Sequence, residues 1–208
     1  MTAGLRRFVA PAPVVGAAAA ARERCELCGE LLPERHRHLV DTDRRSIACA
    51  CVACALLFTR QGGRYAAVPD RVRHDPDAPL TRAEWDGLGI PVGIAFFMVN
   101  SALGRIVASY PSPAGVTECE LDLAAWDRLA DDHPLLRAIT PDVEAVLVSA
   151  GADGVEAFLL PVDACYSLAG ALRLNWRGFD GGTEGRRAVA EFLEGVRGQS
   201  RGIVRGNE

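Results

Sequence analysis

Two Cys-x-x-Cys pairs, Cys25/Cys28 and Cys51/Cys54, constrain this chain more than any other feature. Two cysteines at that spacing sit on one tight turn with both sulfurs pointing the same way. Between the pairs run His36-Arg37-His38-Leu39-Val40 and Ser46-Ile47-Ala48-Cys49-Ala50, separated by Asp41-Thr42-Asp43. Asp and Thr bond their own backbone in turns, so the segment reads as one β-hairpin, with strands over 35–40 and 45–51. A hairpin with such a turn at each end gathers four sulfurs into a tetrahedron, the geometry that suits a d¹⁰ zinc ion. Cys25, Cys28, Cys51 and Cys54 are therefore the expected metal ligands. Gly29 follows the first pair and lets backbone N–H groups turn toward the sulfurs, while Ala55 holds that place after the second. In an extended strand Cys49 shares a face with Cys51, and His36 with His38. These three are candidates for an additional ligand, or for hydrogen bonding to a sulfur from outside the ligand set.

Zinc is the expected ion and iron its competitor. The same four sulfurs suit a rubredoxin-like one-iron centre, and a two-iron cluster draws on Cys49 as well. Ala55 and the shortage of aromatic residues over 25–58 favour zinc. A four-thiolate zinc has no position for water, so it folds a loop and offers a docking surface rather than catalysing.

The rest of the composition narrows the class. Of seven cysteines, an odd number, five cluster between 25 and 54, which argues against a disulfide framework and for metal thiolates in a reducing cytosol. A cytoplasmic location is expected. Hydrophobic residues make up 49% of the 208, enough for a core, yet no apolar run approaches the roughly 20 residues of a membrane-spanning helix. The net charge is −4 and no basic block stands out, so a nucleic-acid partner is not expected. All 23 basic residues are Arg, which with the abundant Ala, Gly and Pro reads as the coding bias of a GC-rich genome. Arg6-Arg7-Phe8-Val9 and the Ala-rich stretch after it loosely resemble a twin-arginine export signal. Pro11 and Pro13 break the apolar segment, so residues 1–22 read as a flexible tail.

The expected organisation is a zinc-ribbon-like module over 23–68, a linker from Pro69 to Pro79, an α+β domain over 80–198 and a tail over 199–208. In the module, Ala55-Leu56-Leu57-Phe58 is an apolar run fit to dock on the main domain, and Tyr65–Val68 a further strand. Thr81-Arg82-Ala83-Glu84 is a capping box opening a helix that stops at Gly89. Val92–Val99 is apolar on both faces, as in a central strand covered on two sides. Strands over 105–110 and 116–121 follow, then a helix capped by Asp122, then a hairpin of 143–149 and 155–160. Asp163 and Thr183 open two further helices, with apolar residues at i, i+3, i+4 and i+7. Short connections pair strands antiparallel, so the expected fold is α+β, with an antiparallel sheet of about five strands packed with helices.

Other candidates are weaker. Cys119 and Cys165 read as packing residues on apolar faces. His74 and His133 read as loop histidines, since no nucleophile turn matches either. No P-loop or complete dinucleotide fingerprint is present. Trp176, Arg177 and Phe179 form a candidate partner-binding loop, because those residue types anchor interfaces.

Several motifs together resemble an uncharacterised bacterial domain family. They are Leu5-Arg6-Arg7-Phe8, Cys25-Glu26-Leu27-Cys28-Gly29, His36-Arg37-His38-Leu39, Cys49-Ala50-Cys51 with Cys54-Ala55-Leu56-Leu57-Phe58, Ile90-Pro91-Val92-Gly93, Tyr110–Gly115 and Trp176-Arg177-Gly178. Genes of that family are typically found beside those for high-affinity, oxygen-tolerant nickel–iron hydrogenases. The resemblance implies work on a hydrogenase subunit or its assembly factor. The reading is a non-enzymatic, zinc-stapled accessory protein acting in assembly, maturation or as an adaptor. Its rivals are a one-iron electron-transfer module for the same enzyme and a zinc-ribbon regulator of nucleic acid.

Overall fold

The computed structural model describes residues 23–152, 154–176 and 182–203. Its N-terminal part is a three-stranded antiparallel sheet of β1 (Arg37–Asp41), β2 (Ser46–Ala50) and β3 (Tyr65–Ala67) in the order β2-β1-β3, with helix α1 (Val52–Phe58) between β2 and β3. The hairpin turn has Arg45 at φ 54. Asp41 is buried at the end of β1 and accepts two bonds from Arg64, at 3.0 and 2.5 Å. That guanidinium holds the Asp41 carboxyl down at about 2 and fixes the register of β3.

The apolar run Ala55–Phe58 does not dock on the main domain. Residues Val52–Phe58 form α1, which turns Cys54 and Ala55 inward and leaves Leu56, Leu57 and Phe58 exposed, at 77%, 64% and 48%. The contact between module and main domain is made instead by the sheet. Val40 and Val68 meet Val143 and Val162, with Ile47 and Ala66 beside them.

The second sheet differs from the expected five antiparallel strands: it has seven and is mixed. In chain order the elements are β4 (Arg73–His74), α2 (Arg82–Gly87), β5 (Ile94–Asn100), β6 (Arg105–Ser112), β7 (Gly115–Cys119), α3 (Leu123–Asp132), α4 (Pro134–Arg137), β8 (Glu144–Gly151), β9 (Gly154–Pro161), α5 (Val162–Asn175), α6 (Gly182–Gln199) and β10 (Arg201–Gly202). The strand order is β10-β4-β9-β8-β5-β6-β7. All neighbours are antiparallel except β10 and β4. The two added strands are two residues long and polar or glycine-bearing, so neither leaves an alternating pattern to read. One lies in the Pro69–Pro79 stretch and the other just past α6.

The double apolar character of β5 is explained by what covers it. Successive side chains of a strand point to opposite faces. Ala95 and Phe97 face one way with Ile106, Ala108, Val146, Val148 and Leu159, under α2, α3 and α4. Phe96 faces the other way with Ala145, Leu147, Phe158 and Leu160, under Cys165, Leu168 and Leu172 of α5 and Leu193 and Val196 of α6. The capping box forms as expected, with Thr81 accepting from the Glu84 amide at 3.2 Å and Glu84 reaching back to the Thr81 amide at 2.6 Å. Asp122 caps α3 through the amides of Ala124 and Ala125. His133 is not a solvated loop residue. It is buried and bridges the Ala78 carbonyl and the Glu84 carboxylate. Helix α6 runs one residue past Gly198, the expected stop.

Glu144 is fully buried at the start of β8 and accepts from Arg71 at 2.6 and 2.7 Å and from Thr140. Burial works against its charge, but Arg71 and Thr140 more than offset this and hold the carboxyl below its usual range. A lowered folded-state pKa contributes stability that is complete above the unfolded value of about 4.3 and is lost as pH falls through the folded value. Arg71→Ala is expected to cost about 2 to 3 kcal/mol at neutral pH, because a buried carboxylate loses its counter-ion. The difference from the parent shrinks as pH falls through the lowered folded-state value and Glu144 takes up its proton. Urea unfolding at neutral and at acid pH is the check; an equal difference at both contradicts the assignment.

Candidate metal centre

Each Cys-x-x-Cys pair has its own local cause. The first lies in a tight ribbon closed by a bridge between Arg24 and Leu31. The Cys25 amide donates to the Glu30 carbonyl at 2.8 Å, and the Gly29 amide to the Cys25 carbonyl at 2.8 Å. Gly29 has φ +78, a left-handed conformation that a side chain would strain. The second pair is the start of α1. Cys51 is the N-cap, and its sulfur accepts from the Cys54 amide at 3.4 Å. The two ends are held together through Glu26, whose amide donates to the Cys49 carbonyl at 2.9 Å and whose carboxylate accepts from the Cys49 amide at 2.8 Å.

The result is that Sγ atoms of Cys25, Cys28, Cys51 and Cys54, 23 or more residues apart in sequence between pairs, all lie within 4.8 Å of one another. Zinc–sulfur bonds of about 2.3 Å in a tetrahedron space the sulfurs about 3.8 Å apart. Cys28 and Cys51 stand at 3.8 Å. Cys25 and Cys54 are buried in a small core with Leu32, Leu39, Ala50 and Ala55, while Cys28 is exposed.

Electrostatics explain what this group needs. Burial opposes ionisation of Cys25, but the amides of Cys51, Leu27 and Cys28 and the Cys28 thiol donate to its sulfur, and its pKa falls to about 6. Cys54 is pushed up to about 12 by burial and by the neighbouring sulfurs. Left to themselves, four adjacent thiols do not all ionise near neutrality. A bound cation removes that obstacle, because it displaces the remaining protons. Four cysteines so placed could hold a metal ion.

Cys49, His36 and His38 form a second group, with ligand atoms within 4.8 Å of one another. Strand β2 ends at Ala50 and Cys51 begins the helix cap, so strand alternation does not carry from Cys49 to Cys51. Cys49 is instead directly opposite His38 across the β1–β2 ladder. His38 donates from Nδ1 to the Asp163 carboxylate at 2.6 Å, a partner 125 residues away that no local pattern reveals. Asp163 lies in the first turn of α5, whose N-cap is Pro161.

Cys165 is completely buried in the α5 layer, and burial pushes its thiol far up. The half-buried Cys119 donates to the Ala108 carbonyl. Trp176 ends α5 and is half-buried, whereas Arg177 and Phe179 lie outside the described residues, as does the segment 1–22. No helix among the described residues is long and apolar enough to cross a membrane.

Residues 24–200 match a family described as a family of unknown function, DUF5947. No curated protein and no solved structure matches the chain.

Proposed function

The chain belongs to that family of unknown function, and we propose that it is a zinc-stapled accessory protein of a nickel–iron hydrogenase system, acting in assembly, in maturation or as an adaptor. The four sulfurs close around one zinc ion, and the ion sets the position of α1. The observation that carries the adaptor role is the outer face of that helix. Val52, Leu56, Leu57 and Phe58 are large, adjacent and exposed. A helix that turns its apolar side to water, anchored at its first turn by two metal ligands, has the form of a rigid docking surface. The hydrogenase as partner rests on the motif resemblance given above.

The test uses tagged full-length protein in cells that make the hydrogenase. The parent is expected to recover hydrogenase subunits. The double variant Leu56→Asp, Leu57→Asp is expected to recover about tenfold less, the equivalent of about 1.4 kcal/mol or more, with unchanged metal content. Equal recovery by parent and variant contradicts the docking role. The one-iron reading draws on the amides that donate to the Cys25 sulfur, since such bonds tune an iron centre. Red protein with thiolate-to-iron charge-transfer bands would establish iron in place of zinc.

A further inference from the structure

The hairpin that carries the two cysteine turns also builds a second donor set. Directly opposed residues in an antiparallel pair put their side chains on one face about 5 Å apart, and His38 and Cys49 are such a pair. His36 comes two residues earlier, and its ring meets that of His38 edge-on, with centroids 4.8 Å apart. Both imidazoles are oriented through Nδ1. His36 Nδ1–H donates to the Pro33 carbonyl at 3.1 Å, and His38 Nδ1–H to the Asp163 carboxylate at 2.6 Å. Carbonyl and carboxylate oxygens only accept, so in each neutral ring Nε2 keeps the lone pair. Metal-ligating histidines are held in this way, with one nitrogen on an oxygen acceptor and the other free for the ion.

His36 supplies the second observation. Its side chain is 5% exposed, and its buried Nε2 makes no hydrogen bond. Glu23 Oε2 lies 3.4 Å away, outside hydrogen-bond geometry. A nitrogen lone pair buried beside a carboxylate oxygen is costly unless a positive charge joins them.

We propose that His36, His38 and Cys49 form a second metal site, which takes a divalent transition ion of the zinc or cobalt kind and keeps one coordination position open. Two imidazoles and a thiolate favour such ions over magnesium or calcium, which prefer oxygen. Three protein donors leave a fourth position for water or an incoming ligand, unlike the closed four-sulfur site. The histidines are reached from solvent through a cleft of about 360 Å³, which Val68, Asp70, Pro161 and Asp163 also line. The carboxylate of Glu26 accepts from the Cys49 amide at 2.8 Å, and that of Glu23 lies 3.4 Å from His36 Nε2. These carboxylates favour an arriving cation, whose binding to the Cys49 sulfur displaces the thiol proton. Because Asp163 belongs to α5 and the three donors to the hairpin, the ion would tie the N-terminal sheet to the helix layer of the main domain.

The inference is independent of the hydrogenase reading. Metal-free full-length protein is titrated with Co²⁺ in the absence of oxygen. The near-ultraviolet thiolate-to-cobalt band grows with the number of thiolates bound, so a four-sulfur and a one-sulfur site differ in intensity. The parent is expected to take two equivalents. Cys49→Ser and His38→Ala are each expected to take one and to keep the four-thiolate spectrum, which also reports that the module has folded. If a variant loses that spectrum, the parent's stoichiometry decides. A parent that saturates at one equivalent with a four-thiolate spectrum overturns the second site and leaves the first standing. Retention of two equivalents by both variants also overturns it. A parent that binds none overturns both sites together.

Discussion

Replacing Cys25 with serine is expected to lower metal content at least about tenfold and to melt the N-terminal module, because binding energy for a four-thiolate zinc is folding energy. The reason lies in the size of what remains. The core around the sulfurs consists of Leu32, Leu39, Ala50, Cys54 and Ala55 with a few half-buried neighbours. A core that small does not hold a fold without a staple. Serine at position 25 also leaves a buried hydroxyl in the place of a sulfur that now receives three amides. Amide hydrogen exchange is the check. Protection is expected to vanish over 23–68 while β5, β8 and β9 stay protected. Full protection over the module in the variant, with the ion gone, would show that the staple is dispensable.

Phe97→Ala is expected to cost about 4 kcal/mol, near the middle of the range for a fully buried Phe. Phe97 has no exposure and stacks on Trp126, with centroids 4.7 Å apart. It also meets Trp85 edge-on at 6.4 Å. Truncation therefore removes two aromatic contacts, each worth about 1 kcal/mol beyond area, and opens a cavity between the sheet and α2 and α3. Urea unfolding of the metal-loaded protein is expected to show a lower midpoint with an unchanged slope. The ion should stay bound, since Phe97 and the four sulfurs belong to separate cores. A loss under about 1 kcal/mol would mean that the site collapses around the gap.

What the sequence disclosed and what it hid divide along the range of the interactions involved. The cysteine pairs, the Thr81 to Glu84 capping box and the Asp122 cap are local, closing within four residues, and the structure has them where the spacing puts them. The covered character of β5 was legible because both of its faces are apolar. The strands β4 and β10 were not, because a two-residue strand has no period and Arg73-His74 and Arg201-Gly202 carry no apolar signal. Helix α1 was hidden for a different reason. Four apolar residues in a row read as buried, and here three of them face water. The link from His38 to Asp163 spans 125 positions. A pair of that kind appears only once the hairpin is laid against α5. Strand alternation does not carry from Cys49 to Cys51, because the chain leaves the strand at Ala50 to cap a helix, yet both pack against the same small core.

The central claim is that four sulfurs surround one ion, and X-ray absorption at the zinc edge tests it most directly. The Cys49→Ser protein is the sample of choice, since it removes the second donor group and leaves a single environment to measure. The account predicts a first shell of four sulfurs at about 2.3 Å. A shell dominated by nitrogen or oxygen at about 2.0 to 2.1 Å would contradict it.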